Sequence, residues 1–263
     1  MKRLWVVVLL SLLSVSCSIN KVAVRKVSSA IAGAGSSTVF TGEEDPELVA
    51  SALPFALKMQ EALLEQDPQN AELLLSSGMG FVSYANAFVQ GPADMLEQDE
   101  YEEKHEAYIR AKRLYLRGQS YALRAMDVRH PGFSARLMAS DFEAAFKGLR
   151  PEDVSPLYYI AAGTLGAFSC DTMNFELSLS IPKAFACAVK ALELDADWNW
   201  GAIHDLFISL YGALPEAMLF RVSEDEALKD PIRQYLDKYY AAAGISPGDA
   251  AAKRQYHFER AVE

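Results

Sequence analysis

The chain has 263 residues, 51% of them hydrophobic, and a formal net charge of −10 at pH 7. That length and apolar content suffice for one large domain or a repeat array with its own core. The acidic balance argues against nucleic acid and against a polybasic membrane contact.

Residues 1–16 read as a secretion signal. Lys2 and Arg3 supply the positive start, and Leu4 to Leu13 form an apolar run broken only by Ser11. The run falls short of the ~20 residues needed to span a bilayer, and it fits the apolar region of a signal peptide. Ser14-Val15-Ser16-Cys17 then resembles a lipobox, the small-residue site cut just before a cysteine, with Ser14 where leucine is usual. Cys17 is the expected lipid attachment point, which tethers the mature body to a membrane. Residues 17–44 read as that tether. The stretch Ala32-Gly33-Ala34-Gly35-Ser36-Ser37 is small-sided and flexible.

From residue 45 to 263 the pattern is all-α, with no sustained period-two alternation. Asp45-Pro46-Glu47 is a helix start, an acid at the cap and proline in the first turn. That helix should run to Asp67-Pro68. A second begins near Gln69, carries Leu74, Phe81, Ala85 and Phe88 on one face, and should break at Gly91-Pro92. A long charged helix is expected over 100–129, acidic early and basic late, as the helix dipole favours. His130-Pro131-Gly132 ends it. Further helices are expected at about 133–147, 156–176, 182–195, 199–213, 224–242 and 247–262, with short connections that make neighbours antiparallel.

Three helix ends resemble one another: Ala62-Leu63 to Asp67-Pro68, Ala125-Met126 to His130-Pro131, and Ala191-Leu192-Glu193-Leu194-Asp195. With Leu74, Gly78 and Phe81, and with Tyr159 and Gly163, they suggest degenerate tetratricopeptide-like hairpins stacked into a curved array. Small residues at those positions would let paired helices approach closely. Ala161-Ala162-Gly163-Thr164-Leu165-Gly166-Ala167 is the clearest such run, so Gly163 is expected at a helix–helix contact.

Catalytic patterns are few. His105-Glu106 lacks the second histidine of a zinc motif, and there is no CxxC, GxSxG or phosphate-cradling loop. His204 and Asp205 are adjacent, and helix neighbours point apart, so they make no local dyad. His204 reads as a core or groove histidine. Glu102, Glu103 and Glu106 read as a solvated face. Trp198, Trp200, Phe207 and Tyr211 read as helix packing, part of it able to line a groove. Arg150 and Asp153 read as a loop ion pair that fixes the start of the next helix. Cys170 and Cys187 could bridge in an exported protein, and their apolar neighbours equally suit buried thiols. No enzyme activity, metal or cofactor is implied.

Several blocks resemble the TatT family, the lipoprotein T component of tripartite ATP-independent periplasmic (TRAP) transporters. They are Gly148-Leu149-Arg150-Pro151-Glu152-Asp153-Val154, Leu157-Tyr158-Tyr159, Trp200-Gly201-Ala202 with His204, Tyr211-Gly212-Ala213-Leu214-Pro215-Glu216 and His257-Phe258-Glu259-Arg260-Ala261. The resemblance implies a periplasmic, membrane-anchored homotrimer that binds the substrate-binding P component and passes an apolar ligand. A groove lined by Tyr158, Trp200 and Tyr211 is the expected contact. An envelope adaptor unrelated to transport would use the same concave helical face.

Cys17→Ser should abolish fatty-acid labelling and move the protein from the membrane fraction to the soluble one. A variant that stays membrane-bound after a high-salt wash would place the anchor elsewhere.

Overall fold

The computed structural model describes residues 39–40, 42–213 and, beyond them, 240–241, 244–246, 252 and 255–256. The signal, Cys17 and most of the two expected C-terminal helices lie outside the described residues. The helices are α1 (Pro46–Gln66), α2 (Ala71–Ala85), α3 (Gly91–Asp94), α4 (Tyr101–Arg129), α5 (Phe133–Met138), α6 (Phe142–Phe146), α7 (Val154–Ser169), α8 (Phe175–Ser178), α9 (Ile181–Leu194) and α10 (Trp198–Ala213). Among the described residues there is no strand.

Local chemistry explains most of the boundaries. Asp45 accepts hydrogen bonds from the amides of Glu47 and Leu48 at 3.0 and 3.1 Å, and Pro46 opens α1. Asn70 caps α2 through the Leu73 amide, and Asn174 caps α8 through the Leu177 amide. Gly132, at φ +80°, turns the chain out of α4.

Several expected boundaries need correction. The chain does not break at Gly91-Pro92. It widens into a π-helical turn, Asn86–Gln90, that runs into α3, where Pro92 occupies the first turn and its missing N–H is harmless. The expected 133–147 helix is two short ones. Ser140 takes φ +59°, and Asp141 then caps α6 through the Ala144 amide. The expected 156–176 helix ends at Ser169, because Asp171 and Asn174 start a new turn before α8.

The helices α2, α4 and α7 contact one another pairwise. Outside them, α1 lies on α2, α9 lies on α7, and α10 touches both α7 and α9. The pairings Gly78 with Ala122 and Gln90 with Tyr115 show that α2 runs antiparallel to α4. The pairings Thr164 with Gln119 and Asp171 with Lys112 show the same for α7.

Glycines set these spacings. A methyl at Gly78 would stand 2.9 Å from the Gly118 carbonyl oxygen, and one at Gly118 would stand 2.7 Å from that of Gly78. Ala122 and Ala125 continue the same close face with no exposure. On the α7 side, a methyl at Gly163 would meet Gln119 Cβ at 2.9 Å and the Tyr115 carbonyl oxygen at 3.0 Å. Gly163 therefore sits at the close helix–helix contact that its small-sided run suggested. Leu73, Leu74, Met126, Phe133 and Leu157, all fully buried, fill the space beside these crossings. Each such side chain contributes roughly 1.5–3 kcal/mol relative to exposure.

Two buried carboxylates fasten the periphery. Glu61 of α1 accepts from Lys58 and from the Tyr121 hydroxyl, both at 2.7 Å, and pairs with Arg117. Burial raises its pKa, but the hydrogen bonds from Lys58 and Tyr121 and the Arg117 charge outweigh that and hold it below the usual glutamate value. Asp153 is the second. The expected Arg150–Asp153 ion pair is not formed. Asp153 accepts from the Arg150 backbone amide at 3.1 Å and faces His130 at 3.0 Å and Arg129 at 3.8 Å. The Arg150 guanidinium points to Glu152 instead. The end of α4, brought in from 23 residues away, satisfies the carboxylate that starts α7.

Gly163→Leu should cost roughly 1–3 kcal/mol or more by overpacking. The geometry also decides the smaller change. Gly163→Ala should destabilise, because a methyl has no room, despite its gain of up to ~1 kcal/mol in helix propensity. Urea unfolding of both variants measures the order: wild type above alanine above leucine.

Candidate functional site

A cavity of about 690 Å³ lies between the C-terminal end of α2 with its π-helical turn, the length of α7, and α10. Val82 and Ser83 of α2 form one wall, continued by Asn86, Ala87 and Gln90 of the π-helical turn. The extra residue in that turn swings Asn86 and Gln90, four apart, onto the cavity side. Tyr158, Tyr159, Ala162, Leu165 and Phe168 of α7 form the facing wall, and Asn199, Asp205, Leu206 and Ser209 close it from α10.

Tyr115 of α4 forms part of the wall between them. A methyl at Gly166 would stand 2.5 Å from its ring, so the absent side chain of Gly166 is what lets the ring lie flat on α7. The Tyr115 hydroxyl donates to Gln90 Oε1 at 2.7 Å, and Gln90 Nε2 donates to Ser169 Oγ at 3.1 Å. This chain of bonds ties the π turn to α4 and α7 across the cavity. Burial pushes the Tyr115 phenol well above its usual pKa.

Tyr158 is pushed up to about 12, first by burial and then by the nearby Tyr159 and Asp205. Its ring packs edge-on to Tyr159 at 5.0 Å and against Trp198 at 5.0 Å, so Trp198 stiffens the tyrosine wall from behind. Such aromatic pairs add ~0.5–1.5 kcal/mol beyond their buried area. Asp205 is the one charged residue on the described cavity wall, and partial burial raises its pKa. His204, one residue away, is fully buried on the other side of α10, so the two do point apart.

Of the groove residues read from sequence, Tyr158 lines the cavity. Trp200 is not among the lining residues. It is 94% exposed, which also corrects its reading as packed core. The cause is local: Asn199, Trp200 and Gly201 have φ of 49°, 58° and 80°, so the regular helix expected from 199 starts only after Gly201. The left-handed run throws the Trp200 indole outward and turns Asn199 toward the cavity. Tyr211 lies on α10, and its side chain is outside the described residues. Phe207 is fully buried, as a packing residue should be.

Sequence reasoning missed Asn86, Gln90 and Tyr115. The one local signal was two amides four apart in an otherwise apolar helix, just before Gly91-Pro92. Cys170 and Cys187 are both free. Burial pushes the Cys170 thiol up to about 11 and Cys187 higher still, so both are poor nucleophiles at neutral pH. Glu102, Glu103 and Glu106 are exposed on α4.

Tyr115→Phe removes the hydroxyl that Gln90 accepts from and should cost ~1 kcal/mol of stability. Chemical unfolding against wild type checks this, with the helical circular dichroism signal unchanged.

Residues 42–219 match the family model of the TRAP transporter T-component. An uncharacterized protein of Treponema pallidum (strain Nichols) is 35% identical over 221 residues, covering 78% of this chain and 68% of that one. A crystal structure of a de novo designed helical repeat protein aligns over 94% of each chain at 17% identity, with a TM-score of 0.34. No helix among the described residues is long and apolar enough to cross a membrane. The matched family is a transporter component rather than an enzyme family, and its match spans α1 to α10. The chain belongs to the TRAP transporter T-component family.

Proposed function

We propose that this protein is the lipid-anchored periplasmic T component of a TRAP system. It docks the substrate-binding P component and offers the tyrosine-walled cavity to an apolar or amphipathic ligand. The observation that carries the reading is the cavity itself. Its size falls within the ~300–1,000 Å³ of small-molecule sites. Its walls are aromatic and aliphatic, with a few converging amides and hydroxyls that would orient a ligand.

Family membership supplies the transport context and favours it over an unrelated envelope adaptor. The anchor reading rests on Ser14 to Cys17 and agrees with the absence of a spanning helix among the described residues. The helix pairs fit degenerate tetratricopeptide-like hairpins: Gly78 and Gly163 sit at close crossings, and Ala184 and Ala191 are buried on α9. Trp200, exposed at 94% beside the cavity residue Asn199, is the favoured partner contact. Tyr211, expected beside it, lies on α10 with its side chain outside the described residues, and a homotrimer would present three copies of the Trp200 contact.

The test is calorimetry with the P component encoded beside this gene. A micromolar or tighter complex is expected, weakened about tenfold or more by Trp200→Ala with helicity unchanged, as befits an aromatic anchor. Absence of association at about 100 μM protein, a Kd weaker than a standard interface gives, would discard the transport reading for this chain.

A further inference from the structure

The charge on the cavity wall is one-sided, and it bears on which ligands can enter. Asp205 reaches the cavity from α10 and has no hydrogen bond or ion pair among the described residues. Three cations of α4 are engaged elsewhere: Lys112 binds Asp171 at 2.8 Å, Arg117 binds Glu61, and Arg110 lies over the Tyr84 ring. Among the described lining residues there is no lysine, arginine or histidine.

Two of the neutral donors on the wall are already engaged: the Tyr115 hydroxyl proton goes to Gln90, and a Gln90 amide proton goes to Ser169. The Tyr158 and Tyr159 rings present π faces and edges beside Asp205, and π faces attract cations. An organic anion entering here would shed water with no fixed positive charge to replace it, and would meet a carboxylate. An ammonium head would gain both the carboxylate and the aromatic faces. An apolar tail fits against Leu165, Phe168 and Leu206.

Resting on the reading of this cavity as a ligand site, we propose that it selects amphipaths with an ammonium head and discriminates against carboxylates, with Asp205 as the discriminating residue. A neutral hydroxyl head falls between the two. The burial-raised pKa of Asp205 adds that the preference fades as acid protonates the carboxyl.

The test uses the purified full chain and the uncharged fluorescent probe N-phenyl-1-naphthylamine, displaced at about pH 8 by octylamine, octanol or octanoate, which share one tail length. Octylamine should displace the probe at about tenfold lower concentration than octanoate, with octanol between. Asp205→Asn should bring amine and carboxylate together to within about twofold, and Asp205→Lys should reverse their order. Glu102→Gln removes the same net charge from an exposed residue that does not line the cavity, and it should leave the preference intact. Equal displacement by octylamine and octanoate in wild type overturns the proposal, as does a preference that survives Asp205→Asn. Failure of the probe and all three competitors to bind instead removes the ligand-site reading, and this inference with it.

Discussion

Backbone-to-backbone contact between α2 and α4 at Gly78 and Gly118 is the constraint on which the rest depends. Each glycine faces the other's carbonyl oxygen at a distance where no side-chain carbon can stand. Once those two helices touch, α7 can reach α4 only beside that contact, and Gly163 and Gly166 provide the second close approach. Tyr115, three residues before Gly118, and the π-helical turn, eight residues after Gly78, lie at the cavity end of this three-helix contact.

The same arrangement explains how a tyrosine so deep in the fold both braces the helices and lines the cavity. Tyr115 is 2% exposed, its ring fits the hollow over Gly166, and its hydroxyl anchors Gln90. A hydrogen bond inside a low-dielectric wall is strong, and an unmade one is costly. The bond therefore locks the π turn in place, and the π turn keeps Asn86 and Gln90 aimed at the cavity.

How much of this was legible follows from the range of each interaction. Asp45-Pro46 and Ile181-Pro182 act within one turn, and the helices they open begin there. Gly163 was readable because seven consecutive small or aliphatic residues exclude a solvent-facing helix. The π turn was not, because proline two residues on normally signals a break, whereas here the turn packs against α4 and bonds Ser169 of α7 through Gln90. The partner of Asp153 was misjudged for the same reason. Arg150 is its neighbour in sequence, while His130 becomes its neighbour only after α5 and α6 fold the chain back. The cavity gathers residues from 82 to 209, and no local pattern encodes such a gathering.

The left-handed run at Asn199, Trp200 and Gly201 shows what that gathering costs. Two non-glycine residues in this region cost of order 1–3 kcal/mol each, and such strain persists only where the surroundings over-determine it. The surroundings here are the helix that follows. Ile203, His204 and Phe207 are fully buried against the core, while Asp205, Leu206 and Ser209 face the cavity. The strain is thus balanced by burial on one face of α10, while the other face presents Asp205 to the cavity. The same three residues leave an indole standing in water beside the cavity, where a partner protein or an incoming ligand would meet it first.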